Sequence, residues 1–73
     1  MILSGYYVDL FYEVYKDRKS KILKDQQVYT VYIFEEFDEI DRFEIQISNK
    51  YKGNKLKNIL INEIEEYIEN NLM

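Results

Sequence analysis

The sequence predicts an α+β fold: a three-stranded antiparallel sheet in β-β-β-α order, with one C-terminal amphipathic helix packed on one face. Three observations carry this. Residues 3 to 48 hold three runs rich in β-branched and aromatic residues, each readable with period two. Polar segments separate the runs. Residues 56 to 72 then change period, with Leu56, Ile59, Leu60, Ile64, Tyr67, Ile68 and Leu72 at i, i+3, i+4, i+7 spacing. The 73 residues make one small α+β domain, 1–73, with no visible linker, repeat or low-complexity stretch.

The first strand is expected over residues 3 to 15. Within it Tyr6, Val8, Leu10, Tyr12 and Val14 form a wholly apolar row, while Tyr7, Asp9, Phe11, Glu13 and Tyr15 alternate aromatic and acid. Residues 16 to 25, "KDRKSKILKD", read as a polar hairpin connection, with Ile22 and Leu23 as a candidate backward extension of the next strand. The second strand is expected over 26 to 34. Val28, Thr30, Tyr32 and Phe34 lie on one side and Tyr29, Val31 and Ile33 on the other. Residues 35 to 39, "EEFDE", form a turn. The third strand, 40 to 48, alternates cleanly, with Phe43, Ile45 and Ile47 inward and Arg42, Glu44 and Gln46 outward. Gly53 breaks the chain, Asn54 is the expected helix N-cap, and the helix runs to the end. A simple 1-2-3 meander is the expected strand order, because sequential strands usually pair.

One helix covers one face of a sheet. The row from Tyr6 to Val14 is the expected helix face, which leaves Tyr7, Phe11 and Tyr15 on the other. That second face is too apolar for bare solvent and too acidic for a sealed core, and mixed surfaces of this kind are common at protein interfaces. The plainer account is that tyrosine tolerates half-exposure on a sheet.

Size and composition limit the options. A domain this small buries only roughly 60% of its unfolded surface, so small cores are usually reinforced by disulfides, metal or association. There is no cysteine and no histidine. Disulfides and the usual zinc sites are excluded, and no cofactor or metal is expected; association is the reinforcement left. Phe, Tyr, Met, Ile, Asn and Lys total 38 residues, whereas Gly, Ala, Arg and Pro total four. That bias is the signature of an AT-rich genome such as a low-GC bacterium, its phages or its plasmids. Part of the tyrosine and lysine content is therefore codon usage. The start of the chain has none of the features of a signal peptide, and no apolar run reaches 18 residues. The expected setting is the cytoplasm of a bacterial or phage-infected cell, away from membranes.

The net charge is only −4, but it is unevenly laid out. Lys16, Arg18, Lys19, Lys21 and Lys24 surround the first connection, and Lys50, Lys52, Lys55 and Lys57 the entry to the helix. Glu35, Glu36, Asp38, Glu39, Asp41 and Glu44 surround the second turn, and Glu63, Glu65, Glu66 and Glu69 lie late in the helix. Threaded through a meander, both basic segments reach one end and both acidic segments the other. Lysines at a helix N-terminus and glutamates near its C-terminus oppose the macrodipole, at a cost of roughly 0.3–1 kcal/mol each at low salt. Rules broken without local gain mark candidate functional regions.

Catalysis has little to work with. General acid–base chemistry at neutral pH most often uses histidine, and nucleophilic catalysis needs cysteine or a serine beside a base. The only serines are Ser4, Ser20 and Ser48, and two glycines cannot make a phosphate loop. The expectation is a non-catalytic binding protein. The leading reading is an inhibitor of a larger protein, such as a nucleic-acid-processing or host-defence protein. Its acidic end, Glu35, Glu36, Phe37, Asp38, Glu39 and Asp41, would enter a basic groove, and Tyr7, Phe11 and Tyr15 would offer an apolar contact. Complementary charge speeds such encounters. One alternative is a self-associating adaptor, such as a homodimer formed through the second sheet face. Another is a nucleic-acid binder using Lys16, Arg18, Lys19 and Lys21, with Tyr15 and Tyr51 as stacking platforms. A pI near 4.7 counts against nucleic acid.

Overall fold

The computed structural model describes all residues, 1–73. The strands are β1 (Leu3–Tyr7), β2 (Leu10–Lys16), β3 (Gln26–Glu35) and β4 (Asp38–Ser48), followed by helix α1 (Gly53–Asn71). They form one antiparallel sheet in the order β1-β2-β3-β4. The helix-on-sheet α+β arrangement is as expected, but the sheet has four strands rather than three. The difference lies in residues 3 to 15, which are not one strand. The chain reverses at Val8 and Asp9, so that Tyr7 pairs with Leu10, Gly5 with Tyr12 and Leu3 with Val14.

That two-residue turn changes which side chains share a face. Cross-strand partners point the same way, so the odd residues of β1 accompany the even residues of β2. The helix face carries Leu3, Gly5 and Tyr7 beside Leu10, Tyr12 and Val14. The expected apolar row is therefore cut in two. Leu10, Tyr12 and Val14 are buried, while Tyr6 is on the outer face and Val8 is on the turn, both exposed. Gly5 makes room for Tyr12, since a Cβ there would lie 2.9 Å from the Tyr12 hydroxyl and push that buried ring aside.

Tyr29, Val31 and Ile33 of β3 and Ile45 and Ile47 of β4 complete the inner face, against which Leu60, Ile64 and Ile68 of α1 are fully buried. Leu56, Ile59 and Leu72 pack at the margin of this core, and Tyr67 stacks on Phe43 with ring centres 3.7 Å apart. Two hydrogen bonds clamp the helix to both edge strands: Tyr7 of β1 donates to Glu69, and Tyr67 donates to Asp41 of β4 at 2.7 Å. The helix N-cap is Lys52 rather than Asn54, without a side-chain cap bond, and Gly53 takes the left-handed φ of 61° that turns the chain into the helix. At the same end Gln27, the one buried polar residue, donates to the carbonyls of Ser48 and Tyr51 at 3.1 and 2.9 Å and accepts from Tyr29.

The connection between β2 and β3 does not lengthen β3. It forms a short 3-10 turn, Arg18–Lys21, capped by Asp17, whose carboxylate accepts from Lys19 N at 2.9 Å and Thr30 Oγ1 at 3.0 Å. Asp17 N also donates to Val28 O at 2.8 Å. These contacts draw the segment towards β3. Val28 belongs to the outer row of β3, yet it is fully buried. Ile22 is exposed.

Candidate binding end

The meander brings the Val8–Asp9 turn, the Glu36–Phe37 turn and the C-terminal half of α1 to one end. Both turns are two-residue hairpins, Tyr7↔Leu10 and Glu35↔Asp38. Both place their first central residue in the left-handed region, Val8 at φ 56° and Glu36 at φ 57°. Such turns usually take glycine or asparagine there, because a Cβ crowds the backbone. Held by the strands on either side, Val8 and Phe37 project from the tips. Phe37 is 98% exposed and Val8 60% exposed, and Tyr6, beside the first turn, is 74% exposed. Ile40 is the extra residue of a bulge, since Ile33 pairs with Asp41 and Phe34 with Glu39, and it too is exposed.

Carboxylates surround these apolar groups. Glu35, Glu36, Asp38 and Glu39 are all exposed around Phe37, with Asp9 on the neighbouring turn. From the helix, Glu65 and Glu69 lie close enough to Tyr7 to hold its hydroxyl pKa above the usual phenol range, chiefly through the hydrogen bond to Glu69. The charge layout therefore follows the expected polarity, with two departures along β4. Glu44 is at the basic end, paired with Lys19 at 2.9 Å. Arg42 sits within the acidic end, bonded to Glu39 at 3.1 Å and stacked 4.7 Å from the centre of the Tyr32 ring.

The site residues expected from sequence divide accordingly. Glu35, Glu36, Phe37, Asp38 and Glu39 come together at one exposed tip. Asp41 does not join them, because it continues the inward row of Phe43, Ile45 and Ile47 and faces the helix, where it accepts from Tyr67. Tyr7 is not on the second sheet face; it packs against the core beneath the helix. Phe11 and Tyr15 are on that face, and Tyr6 takes the place expected of Tyr7. Tyr6 lies 5.0 Å from Phe11, Phe11 lies 6.2 Å from Phe34, and Tyr15 meets Tyr32 edge-on at 5.5 Å. Lys16, Arg18 and Lys21 are exposed at the far end, while Lys19 is engaged with Glu44. Tyr51 carries the ammonium groups of Lys50 and Lys55 at 5.0 and 5.4 Å from its ring centre.

Tyr6, Val8, Asp9 and Ile40 were not expected at this end. One signal pointed to the first three: a 13-residue strand would be long for so small a domain, and Asp9 sits in the middle of the run. No group of three or more carboxylates converges as a metal site would, and no helix is long and apolar enough to cross a membrane. No protein-family model matches the chain, and no curated protein or solved structure shows significant similarity to it.

Proposed function

We propose that this chain is a non-catalytic binding protein that inhibits a larger protein by seating its acidic end in a basic groove. The observation that carries this reading is the coincidence of exposed apolar groups with carboxylates at one end. Tyr6, Val8, Phe37 and Ile40 all protrude among Asp9, Glu35, Glu36, Asp38 and Glu39. Large apolar side chains left in water cost free energy that a partner recovers by covering them, and flanking charge selects which partner does so. The two left-handed turn residues support the reading. Strain of about 1–3 kcal/mol at each such residue is usually retained where function needs the geometry.

The test is capture with paired variants. A tagged chain is used as bait in lysate from an AT-rich bacterial host, beside Glu35→Lys/Glu36→Lys/Asp38→Lys and Lys16→Glu/Arg18→Glu/Lys21→Glu. None of these six residues forms an ion pair within the chain. The reading expects one protein to bind the parent and the basic-end variant but not the acidic-end variant, and to lose activity when bound. The opposite pattern, with RNA or DNA recovered, would transfer the function to the basic end.

A second reading has its own support. The row Tyr6, Phe11 and Phe34 spans β1, β2 and β3 on the face that α1 leaves open. If two copies pair through it, sedimentation at micromolar concentration will show a dimer that Phe11→Glu converts to monomer.

A further inference from the structure

On the open sheet face at the acidic end, one carboxylate beside an aromatic ring is already matched with a cation from within the chain. The Arg42 guanidinium lies over Tyr32 and donates to both Glu39 oxygens, at 3.1 and 3.2 Å. Ring and carboxylate together hold the cation, the ring through a cation–π contact and the carboxylate through Nη2, which is shared between its two oxygens. A cleft of about 480 Å³ lies between the two hairpin turns, lined by Tyr6, Asp9, Phe11, Glu36 and Phe37. It offers the same kinds of group in greater number, three rings and two carboxylates. No cation of the chain fills it, because the two ion pairs of the molecule are Lys19–Glu44 and Arg42–Glu39.

We propose that this cleft receives an arginine side chain projecting from the protein that the acidic end engages. The proposal rests on the binding reading above and names the chemistry of the contact. A wholly apolar plug would leave Asp9 and Glu36 desolvated without partners, which is costly. A phosphate backbone would meet both carboxylates with like charge. Lysine satisfies the charge, but its compact and strongly hydrated ammonium gives up more water against three rings than a guanidinium does. The flat guanidinium also stacks and reaches two carboxylates at once. Arg42, over one ring and bonded to one carboxylate, shows the simpler form of that pairing on the same face.

The protein alone, isotopically labelled, is titrated with a capped Gly-Arg-Gly peptide at millimolar concentrations, and with lysine and norleucine counterparts at matched ionic strength. The expected result is saturable movement of the Tyr6, Phe11 and Phe37 ring resonances with the arginine peptide, weaker movement with lysine and none with norleucine. Phe37→Ala should weaken the arginine peptide by about two- to five-fold, the worth of an exposed cation–π contact. Glu36→Gln should weaken it comparably. Both positions are exposed turn residues, and amide spectra verify that each variant is folded. Movement that does not saturate, or equal movement with all three peptides, would overturn the proposal. So would the same resonances moving with protein concentration alone, which would assign the cleft to a second copy of the chain. Because no partner is present in this titration, its failure leaves the capture experiment standing, and failure of capture leaves the titration interpretable.

Discussion

The turn tips concentrate the unusual backbone chemistry of this protein in two side chains, Val8 and Glu36. A β-branched residue at positive φ is rare because both γ-methyls crowd the backbone. Val8 is mostly exposed, so its side chain returns little burial for that cost. Replacing it by glycine relieves the crowding but adds freedom to the unfolded chain, which offsets part of the gain. We expect Val8→Gly to stabilise the fold by about 1 kcal/mol, a rise in melting temperature of roughly 4–8 °C for a domain of this size. Val8→Ala keeps a Cβ at positive φ and should gain little. Equal or lower melting temperatures for the glycine variant would mean that the strain at Val8 does not exceed the entropy cost of glycine. The same residue explains why the first hairpin is hard to read from sequence. Val8 continues the even-numbered apolar row without interruption, and neither glycine nor asparagine marks the reversal. Since a two-residue turn flips the parity between strands, missing it also exchanges Tyr6 and Tyr7 between the faces.

Among the elements, α1 and β4 were legible because a single periodicity decided each of them. Leu60, Ile64 and Ile68 occupy one stripe, and Phe43, Ile45 and Ile47 alternate with Arg42, Glu44 and Gln46 as the pattern requires. The bulge at Ile40 was not legible, since an extra residue on an edge strand leaves no trace in composition. It nevertheless decides that Glu39, which strict alternation would put beside Asp41 on the helix side, faces Arg42 on the outer side. The helix is held by packing, because its first turn has no acidic residue, its last turn no basic one, and its N-cap no side-chain bond. Ile64→Ala should therefore cost about 2–5 kcal/mol, a large-to-small change at a fully buried site, and unfold much of the population. A melting temperature unchanged by that substitution would remove the basis for helix-on-sheet packing. Conversely, Lys52→Asp supplies an N-cap acceptor and a charge of the favourable sign, and should stabilise by about 1 kcal/mol. Thermal unfolding followed by helical circular dichroism reads both variants.

The whole molecule has two charge properties that experiments can separate, its pH range and its polarity. It has no histidine, the side chain whose ordinary pKa lies nearest neutrality. Hydrogen bonding to carboxylates raises the pKa values of Tyr7, Tyr15 and Tyr67, and burial raises those of Tyr12 and Tyr29. A phenol whose folded pKa exceeds its unfolded value adds stability that is complete below the unfolded value of about 10 and lost as pH rises through the folded value. Asp17 has the opposite sign. The Lys19 amide and the Thr30 hydroxyl hold its carboxyl below the usual range, so its contribution is present above the ordinary aspartate pKa and lost as pH falls through the folded value. Stability should thus be level through neutrality and fall at both extremes, with alkaline unfolding releasing tyrosinate absorbance cooperatively. Polarity acts instead on association. Its basic and acidic segments lie at opposite ends of an antiparallel meander, so the field at the acidic tip exceeds what a net charge of −4 suggests. Such a field accelerates encounter with a basic groove, and salt removes it once the screening length falls from about 30 Å at 0.01 M to about 8 Å at 0.15 M. For the captured partner, we expect the association rate to drop by roughly ten-fold or more across that range while the dissociation rate changes little. In Glu35→Lys/Glu36→Lys/Asp38→Lys the association rate should start low and lose its salt dependence. An association rate indifferent to salt would mean that this polarity does not steer the encounter, whatever the carboxylates do inside the contact.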